Sequence, residues 1–181
     1  MRIISGKYKS RLIKVPANLR ARPTTDFARE NLFNILNNFI DWEETNALDL
    51  FSGTGSIAFE LVSRGCPRVV CVESNTLHYR FICNTKETLE ANELWPLRAD
   101  AFKYIKSNHE KFDLIFADPP YDMQLLNTIP DLIFKQDIVA KDGMLILEHS
   151  KDHNFADHPH FWKEKKYGSV HFSIFLHSLP E

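Results

Sequence analysis

Between Asn46 and Ser150, five short strand-like runs alternate with stretches of helical spacing, and few architectures accept that pattern. The runs are "NALDLF" (46–51), "RVVCVE" (68–73), the more polar "PLRAD" (96–100), "FDLIFADPP" (112–120) and "GMLILEHS" (143–150). A strand that is apolar on both sides has to be covered on both faces. Strands that alternate with helices reach that state as a parallel sheet. The intervening segments supply the helices: "SIAFELVSRG", closed by Gly65, "NTLHYRFICNTKETLEANEL", "AFKYIKSNHEK", and "LLNTIPDLIFK" with Pro130 near its start. The alternation ends at "FWKEKKYGSVHFSIFLHS", which reads as a hairpin about Tyr167-Gly168, with Val170, Phe172, Ile174 and Leu176 alternating on one side. The expected fold is α/β: a doubly wound, seven-stranded, mostly parallel, Rossmann-like sheet with an antiparallel last strand.

Ahead of this body, "RIISGKYKSRLIKVP" reads as a short hairpin and "NLRARPTT" as a linker. A helix follows over 26–40, with Thr25 or Asp26 placed to cap it. The expected division is a hairpin arm over 1–25 and a catalytic domain over 26–181. Charge follows the same division. Seven basic residues and no acid precede Asp26, whereas the rest carries 15 basic and 24 acidic residues, a net of −9. A basic arm on an acidic body implies a polyanionic partner met through the arm, nucleic acid above all. A secretory signal would need an apolar stretch after the charges, and a transit peptide an amphipathic helix; Gly6 and Pro16 interrupt a β-like pattern instead. No apolar run approaches the roughly 18 residues of a membrane span. Cys66, Cys71 and Cys83 form neither a disulfide framework nor a C-x-x-C pair, as expected of reduced thiols in the cytoplasm.

"LDLFSGTGSIAFE" places Gly53 and Gly55 after the first strand, where open α/β sheets bind ligands. Gly53-x-Gly55-x-x-Ala58 satisfies the loose dinucleotide pattern, and Glu73, about twenty residues on, suits ribose hydroxyls, so NAD or FAD competes on these residues alone. Asp49, read as lying at the lip of the loop, opposes a pyrophosphate at the helix N-terminus and favours a ligand bearing an ammonium and a sulfonium. S-adenosylmethionine has both and no phosphate. Asp100, at the end of the third strand, can accept from an adenine amino group.

The fourth strand ends at the same rim in Asp118-Pro119-Pro120-Tyr121. Two prolines fix φ and remove two N–H donors, which an ordinary strand end does not need. A conjugated exocyclic amine is a poor nucleophile and has to pyramidalise before it attacks a methyl group. The Asp118 carboxylate and the Pro119 carbonyl can accept from that amine, increasingly so as nitrogen becomes positive. Tyr121 offers a ring for an extruded base. A hydride-transferring enzyme has no use for this corner, and a non-catalytic RNA-binding module has no use for the ordered acids. A protein-glutamine methyltransferase more often shows Asn before Pro-Pro.

Taken together, "RIISGKYKSRLIKVP", "RPTTDFARENLFNIL", "LDLFSGTGSIAFELVSRG", "VVCVES", "DLIFADPPY" and "YGSVHFSIF" resemble the RsmD family. Its members are class I S-adenosylmethionine-dependent methyltransferases of bacterial small-subunit ribosomal RNA. The resemblance implies methyl transfer to N2 of one guanine of 16S rRNA, in the small subunit or its assembly intermediate, by a cytoplasmic monomer. The alternative within the same chemistry is adenine N6 in DNA or RNA. It implies that Asp49, Phe51, Gly53 and Gly55 hold the methionine side of the cofactor, Glu73 and Ser74 the ribose, and Asp100 and Ala101 the adenine end. Asp118, Pro119 and Tyr121 serve the guanine, with Asp118 also touching cofactor. Arg2, Lys7, Lys9, Arg11, Arg22 and Arg29 are the implied RNA contacts, and Arg22, Thr24 and Arg29 are implied near the mouth of the active site, in reach of cofactor or RNA. Members often read Leu-Gly where this chain has "IAFE", so Phe59 is a departure. Tyr8 is open between stacking on RNA and supporting its turn. His149, His153, His158 and His160 show no recognised ligand spacing. They read as surface histidines, and no metal is expected.

Overall fold

The computed structural model describes residues 1–19 and 26–179. Five helices, α1 (Asp26–Leu36), α2 (Ser56–Arg64), α3 (Thr76–Leu89), α4 (Ala101–Ser107) and α5 (Ile129–Lys135), accompany seven strands. The strands are β1 (Asn46–Leu50), β2 (Arg68–Val72), β3 (Leu94–Leu97), β4 (Phe112–Ala117), β5 (Val139–His149), β6 (Phe161–Tyr167) and β7 (Val170–Leu176). They form one sheet in the order β3-β2-β1-β4-β5-β7-β6. β3 to β5 run parallel, and β7 lies antiparallel between β5 and β6. The order reverses between β1 and β4, so their C-terminal ends open a crevice, the place where such sheets bind ligands.

Two apolar layers cover the sheet. On one face Ala47, Val69, Leu114, Ile146 and Phe172 pack with Leu32 and Phe33 of α1 and Phe59 of α2. On the other, Leu48, Val70, Ile115, Leu147 and Phe175 pack with Ile105 of α4 and Ile133 of α5. Full burial of side chains of this size stabilises the fold by about 1.5–3 kcal/mol each.

Two boundaries and one burial pattern depart from the sequence reading for local reasons. β3 ends at Leu97, because Asp100 leaves the strand to cap α4: its Oδ1 accepts from the Lys103 N–H at 2.9 Å. Pro96 is tolerated there because β3 is an edge strand. β5 begins earlier, at Val139, and its pairing with β4 shifts register between Phe112 and Leu114. β7 is buried over nearly its whole length rather than on alternate residues, since it is an interior strand with a layer on each side.

The arm is not a separate lobe. One antiparallel bridge, Arg2 to Leu12, closes it, and it lies on α2. The Glu60 carboxylate accepts from the Ile4 and Ser5 N–H groups at 2.7 and 3.1 Å, and the Lys7 N–H donates to the Ser63 carbonyl at 2.7 Å. Gly6, at φ +80°, passes so close that an added Cβ would stand 1.6 Å from the Ser63 oxygen. Only glycine permits that approach. Tyr8 is buried, with its N–H on Ser63 Oγ, so the ring supports the turn and offers no face to a base.

Candidate active site

Asp49 is one residue inside β1, and its side chain turns under the glycine loop rather than standing at its lip. It is 1% exposed. Oδ2 accepts from the Ala58 N–H, in the first turn of α2, at 3.1 Å, and the Asp49 carbonyl accepts from Ser52 Oγ–H. Burial pushes its carboxyl up to about 8, the neighbouring Glu73 adds to the rise, and the Ala58 N–H opposes it.

The loop above is held in unusual backbone. Phe51, Gly53 and Gly55 all have positive φ, at 60°, 54° and 80°. Gly55 precedes α2 and sits over Phe59: a Cβ there would meet the Phe59 ring at 3.0 Å and Ile82 at 3.2 Å. Phe59 is fully buried, so the departure from the family's pattern fills core beneath the loop. Phe51 is half-buried and meets Phe102 edge-on at 6.0 Å.

Glu73 follows β2 and joins two elements. Oε2 accepts from the Gly53 N–H at 2.7 Å and Oε1 from the Asn75 N–H at 2.6 Å. Asn75 in turn caps α3, accepting from the Leu77 and His78 N–H groups. Each Glu73 oxygen has capacity beyond its single N–H partner, which suits hydroxyl donors. Ser74 and Asp100 are exposed beside it, and Ala101 is buried at the start of α4. This set fits a cationic, phosphate-free nucleoside: the side chains around the loop are acidic, and one of them is buried beneath it.

Asp118 leaves β4 next to the same loop. Ala117 pairs with Leu50 in register, and the Asp118 N–H points to the Leu50 carbonyl at 3.4 Å. Asp118 is half-buried, Pro119 buried and Pro120 exposed. Two groups that sequence reading missed hold Tyr121. Its hydroxyl donates to Glu148 Oε1 at 2.9 Å, and its carbonyl lies 3.4 Å from His153 Nε2, whose Nδ1 is 2.7 Å from Asn127 Oδ1. Glu148 is 3% exposed at the end of β5. The available signal was an acid closing an apolar strand at this rim, the same signal that singled out Glu73.

The implied RNA contacts divide. Lys9 and Arg11 are exposed on the arm, with Arg11 also over the Tyr8 ring at 5.8 Å. Lys7 is paired with Glu93, and Arg2 stands 4.0 Å from Glu30. Arg29 corrects the sequence reading. Its side chain is 3% exposed, and it donates to the Arg2 carbonyl and to Asp26, each at 2.7 Å, so it fastens arm to helix rather than presenting charge to RNA. Arg22, Thr24 and Thr25 lie outside the described residues.

The histidines also differ from expectation. His149 is fully buried, and the His158 side chain is 10% exposed, close to Asp131. His160 stacks on Phe134 with ring centres 3.9 Å apart. His153 is half-buried and touches the corner through the Tyr121 carbonyl. Among the described residues no helix is long and apolar enough to cross a membrane.

Comparison with known proteins adds a family to this geometry. Residues 1–176 match the model of a family described as conserved hypothetical protein 95. The ribosomal RNA small subunit methyltransferase D of Buchnera aphidicola subsp. Baizongia pistaciae is 31% identical over 180 residues, covering 97% of this chain and 91% of that protein. The protein of the same name from Escherichia coli K12 is 26% identical over 178 residues, covering 97% and 89%. The solved structure of the Escherichia coli protein yhhF has the same fold, with a TM-score of 0.86 at 24% identity, covering 99% of each chain.

Proposed function

The chain belongs to the RsmD family of class I, S-adenosylmethionine-dependent methyltransferases, and from that premise we propose that it methylates N2 of a guanine in 16S rRNA. The observation that carries the reading is the rigid Asp118-Pro119-Pro120-Tyr121 corner set beside the glycine loop, with Asp118 bonded to the last residue of β1. A corner of backbone and carboxylate acceptors beside a cationic-ligand site suits a planar amine better than it suits a hydroxyl or a carbon nucleophile.

Glu73 and the loop, which Asp49 supports from beneath through the Ala58 N–H, would hold S-adenosylmethionine, and the cofactor would supply an electrophilic methyl on sulfonium. Asp118 and the Pro119 carbonyl accept the two N–H bonds of the guanine amine and turn its lone pair toward that methyl. As positive charge grows on the attacking nitrogen, the Asp118 carboxylate and the Pro119 carbonyl would each accept more strongly. The surplus proton leaves to Asp118 or to water, giving N2-methylguanine and S-adenosylhomocysteine. Tyr121 stacks on the base, and Glu148 fixes the ring's tilt through the phenol, so little reorganisation accompanies the reaction. The exposed Lys9 and Arg11 meet phosphate. A body of net charge −9 favours RNA already carrying basic ribosomal proteins.

The test is methyl transfer from labelled cofactor to small subunits lacking the modification, followed by nucleoside analysis. The reading expects label in a single N2-methylguanosine. Label in N6-methyladenosine would keep the chemistry and overturn the base; protein-free 16S rRNA methylated as fast as subunits would overturn the preference for an assembled substrate.

A further inference from the structure

Register places four polar side chains on one face of the antiparallel end of the sheet. His149 of β5 pairs directly with His171 of β7, and Ser173, two residues on, pairs with Glu164 of β6. Direct partners and i, i+2 neighbours share a face. The same face carries Leu145, Leu147 and Phe175 in its apolar layer, so these polar groups interrupt hydrophobic packing. His149 is 0% and His171 7% exposed. One ligand atom from each of His149, Glu164 and His171 lies within 4.8 Å of the others.

We propose that His149, His171 and Glu164 form a binding site for a divalent transition-metal ion of the zinc type. Two imidazoles and a carboxylate are a donor set that zinc takes readily, with a fourth position left for water or a hydroxyl. The surroundings supply the supports such ligands use. His149 Nδ1 lies 2.7 Å from the Ser150 carbonyl, which can only accept, so Nδ1 carries the proton and Nε2 presents its lone pair. That lone pair now accepts from Ser173 Oγ–H at 2.8 Å, placing the hydroxyl next to the same point. Glu164 divides its oxygens: Oε1 faces His171 Nδ1 at 2.8 Å and Oε2 faces Lys166 Nζ at 3.0 Å. Oε1 can therefore turn to an ion while Lys166 still holds Oε2, and His171 offers Nδ1 once its proton moves to Nε2. The Lys166 ammonium weakens the site by repulsion, but its side chain is 63% exposed and free to swing toward solvent. An ion here would join β5, β6 and β7 one residue beyond Glu148, the group that holds Tyr121.

The experiment uses untagged, chelator-treated protein, titrated with Zn²⁺ by calorimetry and with Co²⁺ by absorption, and far-UV dichroism to verify folding. The expected result is one ion per chain, a Co²⁺ spectrum without a thiolate charge-transfer band, and affinity reduced by about tenfold or more in His171→Asn and in Glu164→Gln. Glu164 is the safer variant, because its carboxylate is partly exposed. His158→Asn, in the neighbouring aromatic cluster, should bind like the parent. Failure of the folded parent to take up one equivalent, a thiolate band, or uptake unchanged in Glu164→Gln would each overturn the proposal.

Discussion

The two halves of the catalytic rim are organised by different means. Around β1 to β3 each acid is held by a backbone N–H from the turn or helix beside it: Asp49 by Ala58, Glu73 by Gly53 and Asn75, Asp100 by Lys103. From β4 to β7 side chains hold one another across strands: Tyr121 with Glu148, His149 with Ser173, His171 with Glu164. The first half is set by acids on backbone N–H groups, the second by side chains that meet one another across strands. Removing a side chain in the first half should therefore loosen a loop, whereas removing one in the second should strand its partner.

The largest effect expected belongs to the junction. Asp118→Ala should lower the rate of methyl transfer by about 10²–10³-fold, the range found when one preorganised electrostatic contact to the transition state is removed. Single-turnover transfer to small subunits measures it, and loss of less than about tenfold would contradict the amine clamp.

In the first half, Gly55→Ala combines a positive φ with a Cβ contact against a buried ring. A cost of about 1–3 kcal/mol is expected, read from urea unfolding. An unchanged midpoint would mean that the loop is less fixed than its contacts indicate.

In the second half, Tyr121→Phe keeps the ring and removes the hydroxyl that Glu148 accepts from, whereas Glu148→Gln keeps the shape and removes the charge. Each should lower transfer by up to about tenfold, an effect worth about 1.4 kcal/mol. The double variant should be no worse than the poorer single one, as for any pair acting through one contact. Additive losses would show that the two act separately.

The last effect is read in stability alone, as a pH dependence. Asp49 carries a raised pKa in the folded protein, so between its ordinary 3.8 and about 8 the folded state keeps a proton that the unfolded chain releases. Stability then falls as pH rises through that window. Relative to the parent, Asp49→Asn should gain stability from pH 4 to 8 and no more beyond it, measured by urea midpoints without cofactor. A constant difference would place the Asp49 pKa near its ordinary value.

The same contrast explains what the sequence made legible. The glycine loop, the Asp100 cap and the Asp-Pro-Pro-Tyr corner are local words that can be read from a few consecutive residues, Glu73 stood out as an acid closing an apolar run although its partner Gly53 lies twenty residues back, and the alternation of runs gave the sheet. Glu148 ended an apolar strand at the right rim, yet its partner Tyr121 is 27 residues away. The histidines read as unrelated to any acid because Glu164 belongs to another strand and meets His171 only through the hairpin register. Arg29 looked like an RNA contact and Tyr8 stayed open between RNA and its turn for the same reason: the partners that fix them, the Arg2 carbonyl for Arg29 and Ser63 of α2 for Tyr8, lie far off in the chain.

The division of labour between the halves is tested most directly by the affinity for S-adenosylhomocysteine, measured by calorimetry in Glu73→Gln, Glu148→Gln and Tyr121→Phe. The account predicts weakening of about tenfold or more in Glu73→Gln, the size of a lost charged hydrogen bond, and affinity within about twofold of the parent in the other two. Equal weakening in all three would show that the rim behaves as one unit and would contradict the account.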